Sequence, residues 1–238
     1  MSIAPPPRVL LFDFLGTLVR PLGGVEPPRF DAVAAQHGHV FDPIVFGRWH
    51  HRFQGATHRG HSSCEADYDV WFRGRLELLL ELANVAAADR PALLAALIDA
   101  GAAPAVEPYP DAPGALAALR SAGIGLAICA NWGWRLDTAV AGAGLAGHVD
   151  AVVASARTGA RKPNSEPYLT ALHALACRPA QAIAVGASWG TDILGPTALG
   201  MGAVHLWRPA DHVGQEPPVL RPGIRRIGAL EDLVEMFA

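Results

Sequence analysis

The chain has 238 residues, of which 51% are hydrophobic and 17% are charged, and its formal net charge is −3. This composition is typical of a globular protein with a large buried core and excludes a disordered chain. The 19 basic residues are scattered, which argues against a nucleic-acid binder. No apolar run approaches the roughly 18 residues that cross a bilayer, so we expect neither nucleic acid nor a membrane as a partner.

The N-terminal segment and the cysteines indicate the compartment. The first apolar run, VLLF, is short and is followed by Asp13, which does not fit the layout of a signal peptide. Cys64, Cys129 and Cys177 are widely spaced and odd in number. This pattern is typical of reduced thiols, and not of a disulfide framework or a zinc site. We therefore expect a cytoplasmic protein.

Short aliphatic runs alternate with helical patterns rich in alanine and leucine. The runs predict buried strands at 8–14, 125–130, 151–154, 182–186 and 203–206. Helices are predicted between them, for example at 112–122 and 167–176. The alternation predicts an α/β fold with a doubly wound, Rossmann-like parallel sheet. In such a sheet, ligands bind at the carboxyl ends of the strands.

The interval 22–109 breaks this alternation. It contains no convincing strand, but it has helical patterns at 71–82 and 90–98. Prolines at 27–28 and at 108, 110 and 113 mark its two borders. We therefore predict an α/β core formed by residues 1–21 and 110–238, with an inserted α-helical cap at 22–109.

Polar side chains follow three of the predicted strands. Asp13 ends the first run, in VLLFDFLGTL, and Asn131 ends the second, in GIGLAICANWGW. Asp192 follows a later strand through the loop GASWGTD, and ARTGARKPNSEPYL places Lys162 ahead of a helix. The carboxyl ends of parallel strands share one edge, so we expect one site there. Taken alone, Asp13 could also be a helix cap.

In order and spacing, these four stretches resemble the motifs of the haloacid dehalogenase-like (HAD) superfamily over nearly the whole chain. The insertion resembles the helical cap of its first subfamily. The resemblance implies that Asp13 is a nucleophile that forms a covalent aspartyl intermediate. It also implies that Lys162 and Asn131 bind the anionic group of the substrate. Asp192 matches the last acidic residue of the fourth motif and is expected to hold Lys162 or its own loop.

Three positions depart from the phosphatases of that superfamily. Leu15 replaces their acid–base aspartate, Ala130 replaces their Ser or Thr, and Ala187 replaces an aspartate that holds Mg²⁺. An alkoxide leaving group normally needs a proton, an effect of about 10²–10⁴ in rate. A magnesium site would be short of a carboxylate. We therefore expect no cofactor, since Leu15 and Ala187 weaken the Mg²⁺ site.

A leaving group that departs as a stable anion needs neither a proton nor a metal. The superfamily's 2-haloacid dehalogenases work in this way. Tyr168, six positions after the lysine, and Arg48 in the cap resemble their tyrosine and their anion-binding arginine, whereas Ala130 stands where they have serine. We predict metal-independent displacement at carbon on an anionic small metabolite, with Asp13 as the nucleophile.

Three other functions stay open. Asp13 could act as a base or an anchor while the substrate's own nucleophile closes a ring, or while an elimination occurs, as in a tailoring enzyme of secondary metabolism. A Mg²⁺-dependent phosphatase is the second. The third is an inactive partner subunit in a homo- or hetero-oligomer, although the four polar motif residues are all kept.

Aromatic residues follow the second and fourth motifs. Trp132, Trp134 and Trp189 indicate a water-poor pocket, and core packing or a subunit interface explains them equally well. The set of substrate-binding residues that we predict is Leu15, Ala130, Trp132, Tyr168, Ser188, Trp189 and Arg48.

The cap contributes weaker candidates. His50, His58 and His61 could hold a metal, but scattered solvent-facing histidines fit the pattern better, so we predict no metal ligand. Arg48, Trp49, Arg52, Tyr68 and Trp71 are candidates for substrate contact, although residues of this kind on a cap helix are more often structural. Cys129 lies within an apolar strand and is expected to be a buried, inert thiol.

Overall fold

A parallel six-stranded sheet forms the centre of the molecule. The computed structural model describes residues 7–24, 29–55, 63–101 and 105–238. The strands of the described residues are β1 (Val9–Phe12), β2 (Val19–Pro21), β3 (Val106–Pro108), β4 (Gly125–Ala130), β5 (Ala151–Ala154), β6 (Ala182–Gly186), β7 (Gly202–Leu206) and β8 (Arg225–Ile227). The main sheet has the order β5-β4-β1-β6-β7-β8, and every neighbouring pair is parallel. The predicted α/β class is confirmed.

Helices cover both faces of this sheet. The helices of the described part of the chain are α1 (Phe30–Gln36), α2 (Pro43–Gly55), α3 (Glu65–Leu82), α4 (Arg90–Ala100), α5 (Ala112–Ser121), α6 (Leu136–Gly142), α7 (Ser155–Thr158), α8 (Ser165–Ala174), α9 (Gly195–Ala198) and α10 (Glu231–Phe237), of which α5, α6, α8 and α10 pack on the sheet. A single π-helical turn, Trp189–Leu194, leads into α9.

The alternation of side chains along β1 explains the two layers. Leu10 and Phe12 pack with residues of α5, α6 and α10. Val9 and Leu11 point to the other face and pack with residues of α8. All four side chains are buried, as expected for a central parallel strand that is covered on both sides.

Among the described residues, four α-helices lie between β2 and β3, and we call α1–α4 the helical insertion. The insertion has its own apolar cluster, which includes Trp49, Leu76 and Leu97. Strands β2 and β3 pair as an antiparallel ribbon at its base. The ribbon lies beside the borders at 22 and 109, and the division into core and cap stays a prediction.

The sequence pattern does not reveal β2, β3 or β8. Each has three residues, and β2 and β3 each contain a proline, while β8 has two arginines. Runs this short carry too little hydrophobic alternation to be recognised, and prolines are tolerated because the ribbon has free edges. Among the described residues, no helix combines the length and apolarity needed to cross a membrane.

Candidate active site

Three neighbouring strands bring the polar motif residues to one edge of the sheet. Strand β1 lies between β4 and β6, and Asp13, Asn131 and the loop to Asp192 follow these three strands at their carboxyl ends. Gly16, at φ 80°, allows the chain to turn directly after Asp13. Lys162 comes from the segment between α7 and α8.

Lys162 binds two carboxylates at once. Its Nζ donates to Oδ1 of Asp13 at 2.8 Å and to Oδ1 of Asp192 at 2.7 Å. Only 3% of the lysine side chain and 2% of the Asp192 side chain are exposed, against 18% for Asp13. Asp13 is therefore the member of this ion triad that a substrate can reach.

Burial decides the charges of the triad. Burial, reinforced by the carboxylate of Asp192, raises the pKa of Asp13 to about 6, although Lys162 opposes the shift. Burial also disfavours the charge on Lys162, but Asp13 and Asp192 together outweigh it and hold the lysine pKa well above its ordinary value. At neutral pH the site contains an ionised carboxylate beside a permanent ammonium.

Asp192 is held from three directions. Its Oδ2 accepts a hydrogen bond from the backbone N–H of Ser188 at 2.9 Å. Its Oδ1 accepts from the hydroxyl of Thr191 at 3.1 Å, in addition to the bond from Lys162. A methyl group on Gly186 would collide with this carboxylate, so the glycine at the end of β6 makes the approach possible.

Asn131 fixes the main chain that carries the lysine. The backbone N–H of Lys162 donates to Oδ1 of Asn131 at 2.7 Å, and Nδ2 of Asn131 donates to the carbonyl oxygen of Lys162 at 2.9 Å. The amide therefore aims the lysine at Asp13. The predicted role of Asn131 in binding an anion would fall to its second Nδ2 hydrogen, and this role stays a prediction.

Sequence reasoning missed His205, which fixes the backbone after β6. The Nε–H of Arg226 donates to Nδ1 of His205 at 3.1 Å, so Nε2 carries the proton that it donates to the carbonyl oxygen of Ala187 at 3.1 Å. His205 is fully buried, and burial lowers its pKa. A histidine inside an apolar strand gives no sign of this role in the sequence.

A cavity of about 660 Å³ opens over Asp13 and Lys162. Besides Asp13 and Lys162, five core residues that the sequence singled out contribute to its wall: Leu15, Ala130, Asn131, Trp132 and Trp134. The helical insertion supplies a largely apolar wall, with Phe30, Tyr68, Phe72 and Ile98, and it also contributes the carboxylates of Glu65 and Asp69. Trp132 is buried and meets Phe14 edge to face at 5.3 Å, which fixes it as part of the cavity floor.

Four residues that we predicted to bind substrate are not among the described residues of the cavity wall. The hydroxyl of the buried Tyr168 donates to the backbone carbonyl of Thr191, so the tyrosine supports the loop from below. Trp189 meets the ring of His205 edge to face at 5.3 Å. Ser188 is exposed, and its backbone serves Asp192, while Arg48 is exposed on α2. The side chains of Tyr168 and Trp189 are thus engaged by the loop after β6 and by His205.

The candidate residues of the insertion also differ in whether they contribute to the cavity wall. Tyr68 contributes to the cavity wall, whereas Trp49 is buried inside the insertion and donates to the carbonyl of Arg75 at 2.8 Å. His58 and His61 lie outside the described residues. Burial raises the pKa of the Cys129 thiol to about 12, which agrees with the expected inert thiol.

Arg161 is a wall residue that sequence reasoning passed over. It directly precedes Lys162 in the motif ARKP, and that adjacency was the available signal. The charge of Arg161 acts on His50 and Tyr68, which places the guanidinium towards the insertion. The site therefore contains the guanidinium of Arg161 in addition to the ammonium of Lys162.

The donor set does not fit a magnesium ion. Both carboxylate oxygens of Asp192 already accept hydrogen bonds, from Lys162, Thr191 and Ser188. Position 187 is alanine, and Asp13 faces the ammonium of Lys162. Within the part of the chain that the structure describes, no group of three His, Cys, Asp or Glu side chains could hold a metal. We therefore derive no step through Mg²⁺.

A model of the haloacid dehalogenase-like hydrolase family matches residues 7–200. The chain belongs to this family. The predicted superfamily is thus confirmed, and so is the class of hydrolytic enzyme. One relative matches most of the chain: the ribulose-1,5-bisphosphate 5-phosphatase of Halopiger xanaduensis is 28% identical over 84% of this chain and 87% of that protein.

Other curated relatives share a shorter stretch. The haloacid dehalogenase-like hydrolase domain-containing protein 3 of Bos taurus is 35% identical, over 34% of this chain and 33% of that protein. This haloacid dehalogenase-like chain thus matches only about a third of the length of that relative.

Solved structures show the same fold with two kinds of activity in their names. The L-2-haloacid dehalogenase of Xanthobacter autotrophicus with chloropropionic acid covalently bound has a TM-score of 0.59 and 21% identity, and the match covers 97% of this chain and 98% of that one. The HAD phosphatase of Thermococcus onnurineus has a TM-score of 0.60 and 21% identity, with 96% and 97% covered. These likenesses establish the fold of the haloacid dehalogenase-like hydrolases.

Proposed function

We propose that this hydrolase displaces a stable anion from a carbon atom of an anionic small metabolite, with Asp13 as the nucleophile. One observation carries the proposal: the reachable carboxylate of Asp13 lies 2.8 Å from a buried ammonium, beside the aliphatic side chains at positions 15 and 130. This arrangement supplies a nucleophile and positive charge, but positions 15 and 130 supply no acid. A leaving group that needs no proton is what such a site can expel.

The reaction has two steps. An oxygen of Asp13 attacks the carbon that bears the leaving group, the new C–O bond forms, and the electrons of the broken bond depart with the anion. Water then attacks the acyl carbon of the aspartyl ester, which releases the alcohol, regenerates the carboxylate and gives one proton to solvent. Lys162 stabilises the negative charge that develops on the acyl oxygen during the second step.

The apolar wall favours the first step. A carboxylate that is poorly hydrated attacks carbon more readily than one surrounded by water. Leu15 and Ala130 keep water from Asp13, and Asn131 and Asp192 hold Lys162 in place without reacting themselves. The dehalogenase of Xanthobacter autotrophicus, with its covalently bound chloropropionic acid, supports a covalent route on this fold.

The proposal is tested with 2-chloropropionate as a minimal substrate. We expect chloride release by the wild-type chain from one enantiomer, in the presence of EDTA and with no stimulation by Mg²⁺. Asp13→Asn should release none. If chloride appears equally fast with the Asp13→Asn protein, or if neither 2-chloropropionate nor a larger 2-chloro acid releases chloride at any concentration, the proposed displacement is wrong.

A phosphatase is the second candidate, because the relative from Halopiger xanaduensis, matched over most of the chain, is named as one. Lys162 could bind a phosphoryl group, whereas Leu15 and Ala187 stand where an acid and a metal ligand are needed. Release of phosphate from p-nitrophenyl phosphate that depends on added Mg²⁺ and on Asp13 would favour this candidate over displacement at carbon.

A further inference from the structure

The cavity is much larger than a short haloacid requires. Its volume of about 660 Å³ lies within the range of roughly 300–1,000 Å³ that is typical for pockets of drug-sized ligands. A molecule such as 2-chloropropionate would fill a small part of it. Water would occupy the remainder, which would weaken the apolar environment of Asp13.

Aromatic rings from two sides shape this space. Trp132 and Trp134 contribute to the core side, and Tyr68 and Phe72 to the side of the insertion. Tyr68 and Phe72 are nearly parallel, with an interplanar angle of 8° and centroids 6.3 Å apart. Such surfaces bind planar apolar groups by stacking and edge contacts, and the apolar area they remove from water adds to affinity.

Two glycines keep the space open. A Cβ on Gly133 would lie 3.7 Å from the hydroxyl of Tyr68, so a side chain there would fill the gap between core and insertion. A Cβ on Gly101 would lie 2.5 Å from the tip of the Phe72 ring, so the glycine permits the present position of that ring. Both glycines belong to the cavity wall.

The described wall of the cavity contains three cationic side chains, those of Lys162, Arg135 and Arg161. The ammonium of Lys162 binds Asp13 and Asp192, and Arg135 forms an ion pair with Glu65 at the exposed rim. Arg161 lies in the same wall, beside the apolar rings. A guanidinium in a poorly hydrated cavity attracts a carboxylate more strongly than one in water and can bind it through two hydrogen bonds.

We infer that the substrate is an organic anion with an aromatic or similarly broad apolar body, whose anionic head group Arg161 binds while its reacting carbon faces Asp13. This assignment names the substrate class of the proposed displacement and rests on that function. The body packs between the tryptophans of the core and the aromatic wall of the insertion. Arg161 is then a binding residue that determines specificity.

Binding is measured by calorimetry with the Asp13→Asn protein, which separates affinity from turnover. The ligands are 2-chloro-3-phenylpropionate, 2-chloropropionate and the uncharged 2-chloro-3-phenylpropionamide. We expect the phenyl acid to bind at least about tenfold more tightly than either of the others. Equal affinity for the two acids would overturn the apolar body, and equal affinity for acid and amide would overturn the anion site.

Two further variants, each in the Asp13→Asn background, locate these contacts. Arg161→Gln should weaken the phenyl acid at least about tenfold and leave the amide unchanged, and Arg161→Lys should recover part of the loss. Gly133→Val should weaken the phenyl acid by a similar factor, whereas Gly142→Val, on the exposed end of α6 with no atom near its Cβ position, should not. Loss of amide binding in Arg161→Gln, or no loss in Gly133→Val, would contradict the assignment.

Chloride release by the wild-type chain is measured in parallel. If the phenyl acid binds with the expected preference but no chloride is released, the proposed displacement fails and the substrate class stands. If chloride is released from both acids without a preference in binding, the displacement stands and the substrate class fails.

Discussion

Gly186 and Asp192 lie so close together that a methyl group on the glycine would be 2.4 Å from Oδ2 of the aspartate. The same aspartate binds Lys162 at 2.7 Å, and the lysine binds Asp13 at 2.8 Å. The position of the reacting carboxylate thus depends on a glycine at the end of β6. A chain of contacts connects that glycine to the cavity.

Gly186→Ala should therefore reduce chloride release strongly, by about 10²-fold, because the displaced Asp192 no longer aims Lys162 at Asp13. The matched control is Gly190→Ala in the same loop, where no atom lies within 4 Å of the Cβ position. The control should keep activity within about twofold. Equal losses in both variants would mean that the loop, and not the contact with Asp192, is being disturbed.

The activity of the enzyme should fall at acidic pH. The pKa of Asp13 is raised to about 6, chiefly by burial, and only the ionised carboxylate can attack. We expect kcat/KM to fall as the pH drops through about 6, to about a tenth of its plateau at pH 5. A profile that is flat between pH 5 and 8 would show that Asp13 does not titrate in this range in the free enzyme.

Asp13→Asn should stabilise the fold at neutral pH. The raised pKa means that the protonated form of Asp13 favours folding, an effect fully present below the ordinary pKa near 4 and lost as the pH rises through about 6. At pH 7 the folded wild type therefore bears a destabilising charge worth at most about 3 kcal/mol. The free energy of unfolding in urea should be higher at pH 5 than at pH 7 for the wild type. This difference between the two pH values should be smaller for Asp13→Asn.

Lys162→Met should destabilise the protein by roughly 3–5 kcal/mol, because it leaves the buried carboxylate of Asp192 and the partly buried carboxylate of Asp13 without their shared cation. Adding Asp192→Asn to that variant should restore part of the stability, since the second uncompensated charge is removed. The free energy of unfolding in urea measures both. If Lys162→Met costs no more than an exposed substitution, the ion triad does not contribute as described.

Carboxylates introduced at positions 15 and 187 should give the protein Mg²⁺-dependent phosphatase activity. Positions 15 and 187 are both partly exposed, so each can accept a carboxylate. We expect Leu15→Asp with Ala187→Asp to gain Mg²⁺-dependent release of phosphate from p-nitrophenyl phosphate, by about 10² or more over the wild type. Leu15→Asn with Ala187→Asn is the matched control and should gain nothing. A wild type that already equals the double Asp variant would contradict the role given to these two positions.

Much of the fold could be predicted from the sequence. Apolar runs such as Gly125–Ala130 are buried on both faces, and this pattern identifies central parallel strands without further knowledge. Strands β2, β3 and β8 were not predicted, because runs of three residues that contain prolines or arginines carry no periodic signal. Their positions depend on pairing with distant segments.

The site was predictable where chemistry follows a strand end. Asp13, Asn131 and Asp192 meet because parallel strands place their ends together. Arg161 and His205 were not recognised, since their roles depend on where the insertion and the neighbouring loop lie in space. Tyr168 was assigned to the cavity from a spacing, yet helix α8 turns it into the core.

The covalent route is tested most directly by one turnover in H₂¹⁸O with an excess of enzyme over 2-chloro-3-phenylpropionate, followed by mass spectrometry of the product and of the peptide that contains Asp13. We expect ¹⁸O in the carboxylate of Asp13 and an unlabelled hydroxyl group in the first product, because that oxygen comes from the enzyme. Label in the product with an unlabelled Asp13 would show that water attacks the substrate directly, which contradicts a nucleophilic Asp13.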